Sequence, residues 1–316
     1  MPWIKKGLIY CPNGELDFSQ SHAQVPVVDY LEQENRFRVY FSTRDGESRS
    51  LPSYIEVNAD NPSEILKISD RPILELGKLG TFDDCGVMPS WIVNRDNEKY
   101  MYYIGWNVRN TISYHNSVGL AKSYDGGVTF TKLSDGPLWD RNYIEPHYSG
   151  TSCVLIDDDG IWKNWYLSCT EWKVIDGKSE PRYHIKYAES MDGINWTRNG
   201  EVAIDYIDDE EAGIVKASVI KEKDVYRMWF SYRNFSNYRT DRNNSYRIGY
   251  AESNDGKSWQ RFNCEESPFG LDVSESGWDS QMVEYPHVVK HKGKLLMFYN
   301  GNGFGASGFG YAVYEE

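Results

Sequence analysis

"YAESMDGINW" at residues 187–196 is followed by "YAESNDGKSW" at 250–259, and a looser copy, "LAKSYDGGVTF", begins at Leu120. Ala121, Ala188, Ala251 and Ala312 take the same place in four copies, at spacings of 67, 63 and 61 residues. A 316-residue chain read at that period divides into five units, and five can be found. Each opens on an apolar run: "AQVPVVDYL" from Ala23, "GVMPSWIV" from Gly86, "GTSCVLI" from Gly150, "VKASVI" from Val215 and "EYPHVV" from Glu284. A short polar turn follows, then an aromatic strand such as "YMYYIGW" or "YRMWFSY", then the repeated phrase, then a strand after its D-G turn. Four short antiparallel strands, five times over, predict an all-β five-bladed propeller.

The units run approximately over 17–75, 83–140, 145–205, 210–264 and 279–316, within one domain spanning 1–316. The last unit ends after its third strand, "FGYAVYEE", so the segment 3–11, "WIKKGLIYC", is expected to supply its outer strand and close the ring. The repeated phrase is then hairpin chemistry. Gly takes positive φ, Asp bonds its own backbone, and the Trp or Phe four residues after the Asp packs between units. Asp125, Asp192 and Asp255 are therefore read as structural.

Composition narrows the function classes. A net charge of −13 argues against a general nucleic-acid or membrane-surface binder. The 24 Tyr, 12 Phe and 11 Trp fit many short strands with wet loops, as does a mean hydropathy of −0.64. No apolar run of signal-peptide type opens the sequence and none is long enough to span a bilayer, so a cytoplasmic protein is expected. Cys11, Cys85, Cys153, Cys169 and Cys264 lack metal or disulfide spacing and read as reduced thiols.

Loops joining second to third strands differ sharply from the bland turns of the other face. "TRDGESR" (43–49), "GWNVRNTISYHNS" (105–117), "TEWKVIDGKSEPRYH" (170–184), "YRNFSNYRTDRNNSYR" (232–247) and "NGNGFGASG" (300–308) are long and polar, where function concentrates. Acids stand before each inner strand on the same face: Asp17, Asp83 with Asp84, Glu145, Glu210 with Glu211, and Asp279. Glu284 lies deeper in the fifth. A closed ring would converge them on an axial pocket, where carboxylates serve as acid, base or nucleophile and bind sugar hydroxyls. Each could equally cap a turn in solvent. Glu284 is singled out because a charge inside an apolar strand is costly unless it faces a channel.

Arg44, Arg49, Arg109, His115, Arg182, His184, Arg233, Arg239, Arg242 and Arg247 share this face, with Lys216 and His22 on or beside inner strands. Arginine forks recognise carboxylate and phosphate, so the cluster points to an anionic ligand group, unless it pairs with the acid ring. Trp106, Trp172, Tyr114 and Tyr238 could stack on sugar rings, and Tyr285, Asn300 and Asn302 are further substrate-binding candidates.

With these residues in view, the chain resembles the five-bladed propeller glycoside hydrolases of the furanosidase-like group, families 43, 32 and 130. "STRD", "GTFDDCGVMPS", "YYIGWN", "YPHV" and "YNGNGFG" resemble still more closely a group of propeller "glycosyl hydrolases" associated with bacterial surface-polysaccharide gene clusters. The resemblance implies a small-molecule or oligosaccharide sugar ligand. It departs at the catalytic set. Families 43 and 32 carry an Asp beside Pro on the first inner strand, where this chain reads "SHAQVPVV" with His22 and Gln24. The Arg-Asp-Pro of family 32 has no counterpart in "SGTSCVLI". Among the inner strands, an acid two residues before Pro recurs only at Glu284, on the fifth.

Three readings stay open. One is a glycosidase with Glu284 as general acid and Asp83 or Asp84 as base or nucleophile. The second is a phosphorylase or transferase using a phosphorylated sugar, with His22, Lys216 and the loop arginines on the phosphate. The third is a non-catalytic sugar-binding propeller. No cofactor is required; a cation such as calcium, held on the axis by the acids, is the one metal arrangement the sequence allows.

Overall fold

Side-chain alternation along short aromatic strands, broken by D-G turns, yields a chain of hairpins rather than helices. The computed structural model describes residues 3–262 and 268–315; Cys264 lies outside them. Its strands are β1 (Trp3–Tyr10), β2 (Ser21–Leu31), β3 (Arg36–Arg44), β4 (Ser50–Asn58), β5 (Ile65–Ile68), β6 (Gly86–Arg95), β7 (Glu98–Val108), β8 (Tyr114–Ser123), β9 (Thr131–Lys132), β10 (Ser149–Ile156), β11 (Trp162–Ile175), β12 (Lys178–Ser190), β13 (Trp196–Thr197), β14 (Val202–Ile204), β15 (Val215–Glu222), β16 (Val225–Tyr232), β17 (Arg247–Ser253), β18 (Gln260–Phe262), β19 (Glu284–His291), β20 (Lys294–Asn300) and β21 (Phe309–Tyr314).

The strands pair antiparallel in five groups: β2-β3-β4-β5, β6-β7-β8-β9, β10-β11-β12 with β13 and β14, β15-β16-β17-β18, and β19-β20-β21-β1. A single parallel pair, Ser50 with Gly86, links the first two groups. The innermost strands touch in order, β2 to β6 to β10 to β15 to β19 and back to β2. The groups therefore form a closed ring around an axis, the propeller architecture. β1 pairs with β21 as the outer strand of the last group, Trp3 opposite Tyr314.

The repeated phrase has the structural role read from it. Ser190 Oγ accepts from Gly193 N at 2.9 Å, and Asp192 Oδ1 accepts from the amides of Ile194 and Asn195 at 2.8 Å each. Equivalent bonds fix the turns at Asp125 and Asp255. Each turn also receives a bond from the preceding unit: Tyr40 Oη to Gly127 O at 2.8 Å, Tyr102 Oη to Gly193 O at 2.7 Å, and Trp165 Nε1 to Gly256 O at 2.7 Å. The turn aromatics Trp196 and Trp259 lie edge-on to Tyr102 and Trp165, at 6.0 and 5.9 Å. The phrase clips neighbouring units together.

Every inner strand slips register where it passes the axis. In three of them a non-glycine residue takes the left-handed region there: Val25 (φ 55°), Lys216 (φ 56°) and Tyr285 (φ 54°). Neighbouring side chains hold their amides, Val25 N to Asn300 Oδ1 at 2.8 Å, Lys216 N to Thr151 Oγ1 at 3.1 Å and Tyr285 N to Ser231 Oγ at 2.8 Å. Strained backbone retained against its cost marks the axial end of these strands as a constrained site.

Candidate functional site

The long loops and the starts of the inner strands enclose an axial cavity of about 420 Å³, to which all five units contribute. Two cationic side chains reach it, Arg44 from the end of β3 and Arg239 from the loop after β16, together with His22. Six tyrosines, Tyr114, Tyr148, Tyr183, Tyr238, Tyr246 and Tyr285, supply most of its rings, with Trp106 and Phe304. No carboxylate lines it among the described residues.

The charges in the wall are held differently. Arg44 gives one bond to Ser48 O at 3.2 Å, and its Nε is buried without a partner. Burial and the Arg44 charge push the His22 pKa down to about 4, so the ring is neutral at pH 7 and sits 2.8 Å from Ser21 Oγ. Arg239 stacks over Tyr238 at 4.3 Å and pairs with Glu180 at 3.3 Å.

Behind the wall lies a fully buried cation. Arg233 donates to Pro181 O at 3.0 Å and to Asn234 O at 2.8 Å, and stacks 3.7 Å over Tyr238. Its Nε and Nη2 reach Tyr246 Oη at 3.3 Å and Tyr183 Oη at 3.4 Å, and those two phenols bond to each other. Tyr183 and Tyr246 each stand five residues before a repeat alanine, so the internal repeat itself builds this pair.

Glu284 is one residue from Tyr285 and is wholly buried. Neither carboxylate oxygen has a hydrogen-bond partner among the described residues. Desolvation raises its pKa well above the usual carboxylate range, and the adjacent Tyr285 side chain and then the Arg233 charge offset this only in part. Burial thus favours its protonated form, and it is set behind Tyr285 and Tyr246.

Of the residues expected to form a site, His22, Arg44, Trp106, Tyr114, Tyr238 and Tyr285 meet in the cavity. The acids expected to converge do not, because each is tied within its own unit. Asp83 accepts from Tyr103 Oη at 3.0 Å and pairs with Lys132 at 2.6 Å. Glu145 accepts from Tyr166 Oη and Ser168 Oγ, both at 2.9 Å, and pairs with Arg198 at 3.0 Å and Lys186 at 3.2 Å. Glu211 takes Arg261 at 2.8 Å on each oxygen. Asp279 accepts from Tyr299 Oη at 3.0 Å and pairs with Lys5 at 2.7 Å. In each case an acid before the inner strand grips a base on or just beyond the outermost strand. Asp84 accepts from Gly80 N at 2.9 Å, Asp17 and Glu210 are exposed, and the acid ring that would hold an axial cation is not formed.

Other candidates also lie outside the cavity. His115 bonds Asp140 at 2.7 Å and His184 bonds Asp205 at 2.9 Å. Arg182 stacks 3.9 Å over Tyr206 and donates to Glu211 O at 3.1 Å. Arg242 donates to Ser274 O at 3.3 Å, and Arg247 pairs with Asp272 at 2.5 Å. Trp172 packs behind Tyr148 and Tyr114 at 5.7 and 5.5 Å. Asn300 and Asn302 bond backbone groups, holding Val25 N at 2.8 Å and Gln281 N at 2.7 Å. Lys216 is buried with Nζ 4.7 Å over the Trp91 ring, and Arg109 lies in a neighbouring cleft.

Fold and site together define a propeller protein with a tyrosine-rich axial cavity lined by Arg44 and Arg239. No family model matches the chain. It belongs to the family of two Mycobacterium tuberculosis proteins, Uncharacterized protein MT1551 (strain CDC 1551) and Uncharacterized protein Rv1502 (strain H37Rv), each 38% identical over 316 residues and 100% of both chains. Among solved structures, a glycoside hydrolase matches with TM-score 0.74 and 19% identity over 99% of this chain and 91% of its own. A thermostable family-43 glycoside hydrolase matches at 0.65 and 19%, over 93% and 88%. An endo-arabinase from Bacteroides thetaiotaomicron matches at 0.59 and 14%, over 95% and 96%. No helix among the described residues is long and apolar enough to cross a membrane.

Proposed function

We propose that the axial cavity binds a sugar carrying an anionic group, and that the protein acts on the glycosidic bond of that sugar with Glu284 as the proton donor. The observation that carries the ligand class is a wall with Arg44, Arg239 and six tyrosines but no carboxylate. Such a wall attracts an anion through charge-assisted bonds and offers ring faces and hydroxyls to a sugar. Burial favours the protonated form of Glu284, and because that residue does not line the cavity its proton would reach the sugar through the Tyr285 hydroxyl, which does.

A thermal-shift comparison of uronic acids and sugar phosphates with their neutral parent sugars tests the ligand class. Stabilisation should appear with the anionic members and be lost in Arg44→Ala. Turnover of the ligand so found should fall by ~10²–10⁴ in Glu284→Gln; turnover within about threefold of the parent would remove Glu284 from the chemistry.

The carboxylate-free wall also favours a second reading, a sugar-binding propeller without catalysis. It predicts tight, Arg44-dependent binding and no product.

A further inference from the structure

A second cleft, of about 460 Å³, opens beside the axial cavity between the β7–β8 and β11–β12 hairpins, and the two share Ser113 and Arg239 as lining residues. We propose that this outer cleft is a subsite for a phosphate or diphosphate group attached to the sugar held on the axis; it rests on the sugar reading above.

Three cations line the cleft, Arg109, Lys178 and Arg239. Arg109 and Lys178 are exposed and enter no ion pair among the described residues. The one acid in the lining, Glu180, is already occupied by Tyr238 Oη at 2.6 Å and Arg239 at 3.3 Å. Two free positive charges at one opening, in a chain of net charge −13, are a local arrangement rather than a reflection of overall composition.

The rest of the lining decides which anion fits. Ser113 and Ser179 join the two hairpins by an Oγ–Oγ bond of 2.8 Å within the lining, and Thr111 and Asn110 add a hydroxyl and an amide. Among the described residues no aromatic ring lines the cleft, which leaves no face for a nucleobase or a second pyranose to stack upon. Guanidinium, ammonium and hydroxyl donors without a stacking surface match the oxygens of a phosphate group. The shared Ser113 and Arg239 put the group next to the axial cavity, so one ligand can occupy both.

Isothermal titration with inorganic pyrophosphate and, separately, glucuronate distinguishes the two sites. Pyrophosphate should bind the full chain in a salt-sensitive manner, at least tenfold more weakly in the Arg109→Ala/Lys178→Ala double variant, and within about twofold of wild type in Arg44→Ala. Glucuronate should show the reverse dependence. Both substituted side chains of the double variant are exposed, and an unchanged melting curve verifies its fold. Absence of saturable pyrophosphate binding, equal binding by the double variant, or loss of binding in Arg44→Ala would each overturn the subsite. Pyrophosphate binding with the expected dependence but no glucuronate binding would support an anion site in the cleft and sink the axial sugar reading instead.

Discussion

Glu284 carries both carboxylate oxygens into the interior without a hydrogen-bond partner among the described residues, and this has a consequence for stability that is separate from any catalytic role. Its folded pKa lies well above the ordinary 4.5, while in the unfolded chain it ionises near that value. Above pH 4.5 the native state therefore holds a proton that the unfolded state has lost. The stabilisation is complete below the unfolded pKa and declines as pH rises toward the folded one. Glu284→Gln removes this dependence, so its melting temperature relative to wild type should rise steadily from pH 5 to pH 8. Calorimetry across that range checks it, and parallel curves would mean that Glu284 is ionised in the native state. The cost of a charge in "VEYPHVV" is legible in the sequence. That Tyr285 rather than Glu284 would meet the cavity is not, because the register slip at the axis turns consecutive side chains away from simple alternation.

At the scale of the element, the four acids before inner strands act as clamps across their own units. The acid-to-tyrosine separations are 20 residues for Asp83–Tyr103, 21 for Glu145–Tyr166 and 20 for Asp279–Tyr299. That offset is a pattern in the sequence, but only with the strand register known does it place the phenol against the carboxylate. The bases that complete each clamp come from the far edge of the unit, or from the chain's other end in the case of Lys5, so loop position alone made the acids look axial. The propeller fold was legible because a period of roughly 63 residues dominates the chain; the carboxylates' directions were not, because they depend on partners outside that period. Glu145→Gln should accordingly destabilise the fold, by about 3–5 kcal/mol if Arg198 and Lys186 are left without their buried counter-charge. Ligand affinity in the folded fraction should stay within about twofold. Chemical denaturation and titration of the same variant separate the two effects, and a large loss of affinity without loss of stability would return Glu145 to the site.

For the whole molecule, the ring is only as continuous as its last joint, and that joint is β1. Trp3 is buried against Tyr314 at 5.3 Å and Trp229 at 6.3 Å, and its Nε1 donates to Phe269 O at 2.7 Å. Lys5 completes the clamp on Asp279 from the same strand. Removing β1 would bare the edge of β21, leave Asp279 without its cation and empty the space filled by Trp3, a side chain whose loss alone costs ~3–5 kcal/mol. The damage should reach the cavity, because Asn300 of the same unit holds both Ala23 O at 2.6 Å and Val25 N at 2.8 Å, backbone groups flanking Gln24 in the wall. Deletion of residues 1–11 is therefore expected to lower the melting temperature more than Glu145→Gln does and to abolish ligand-induced stabilisation. A synthetic peptide of residues 1–12 should restore both by re-entering beside β21. If the truncated chain melts within ~3 °C of wild type, a shift worth only about 1 kcal/mol in a protein of this size, the ring is held by its inner strands and the β1 joint is dispensable.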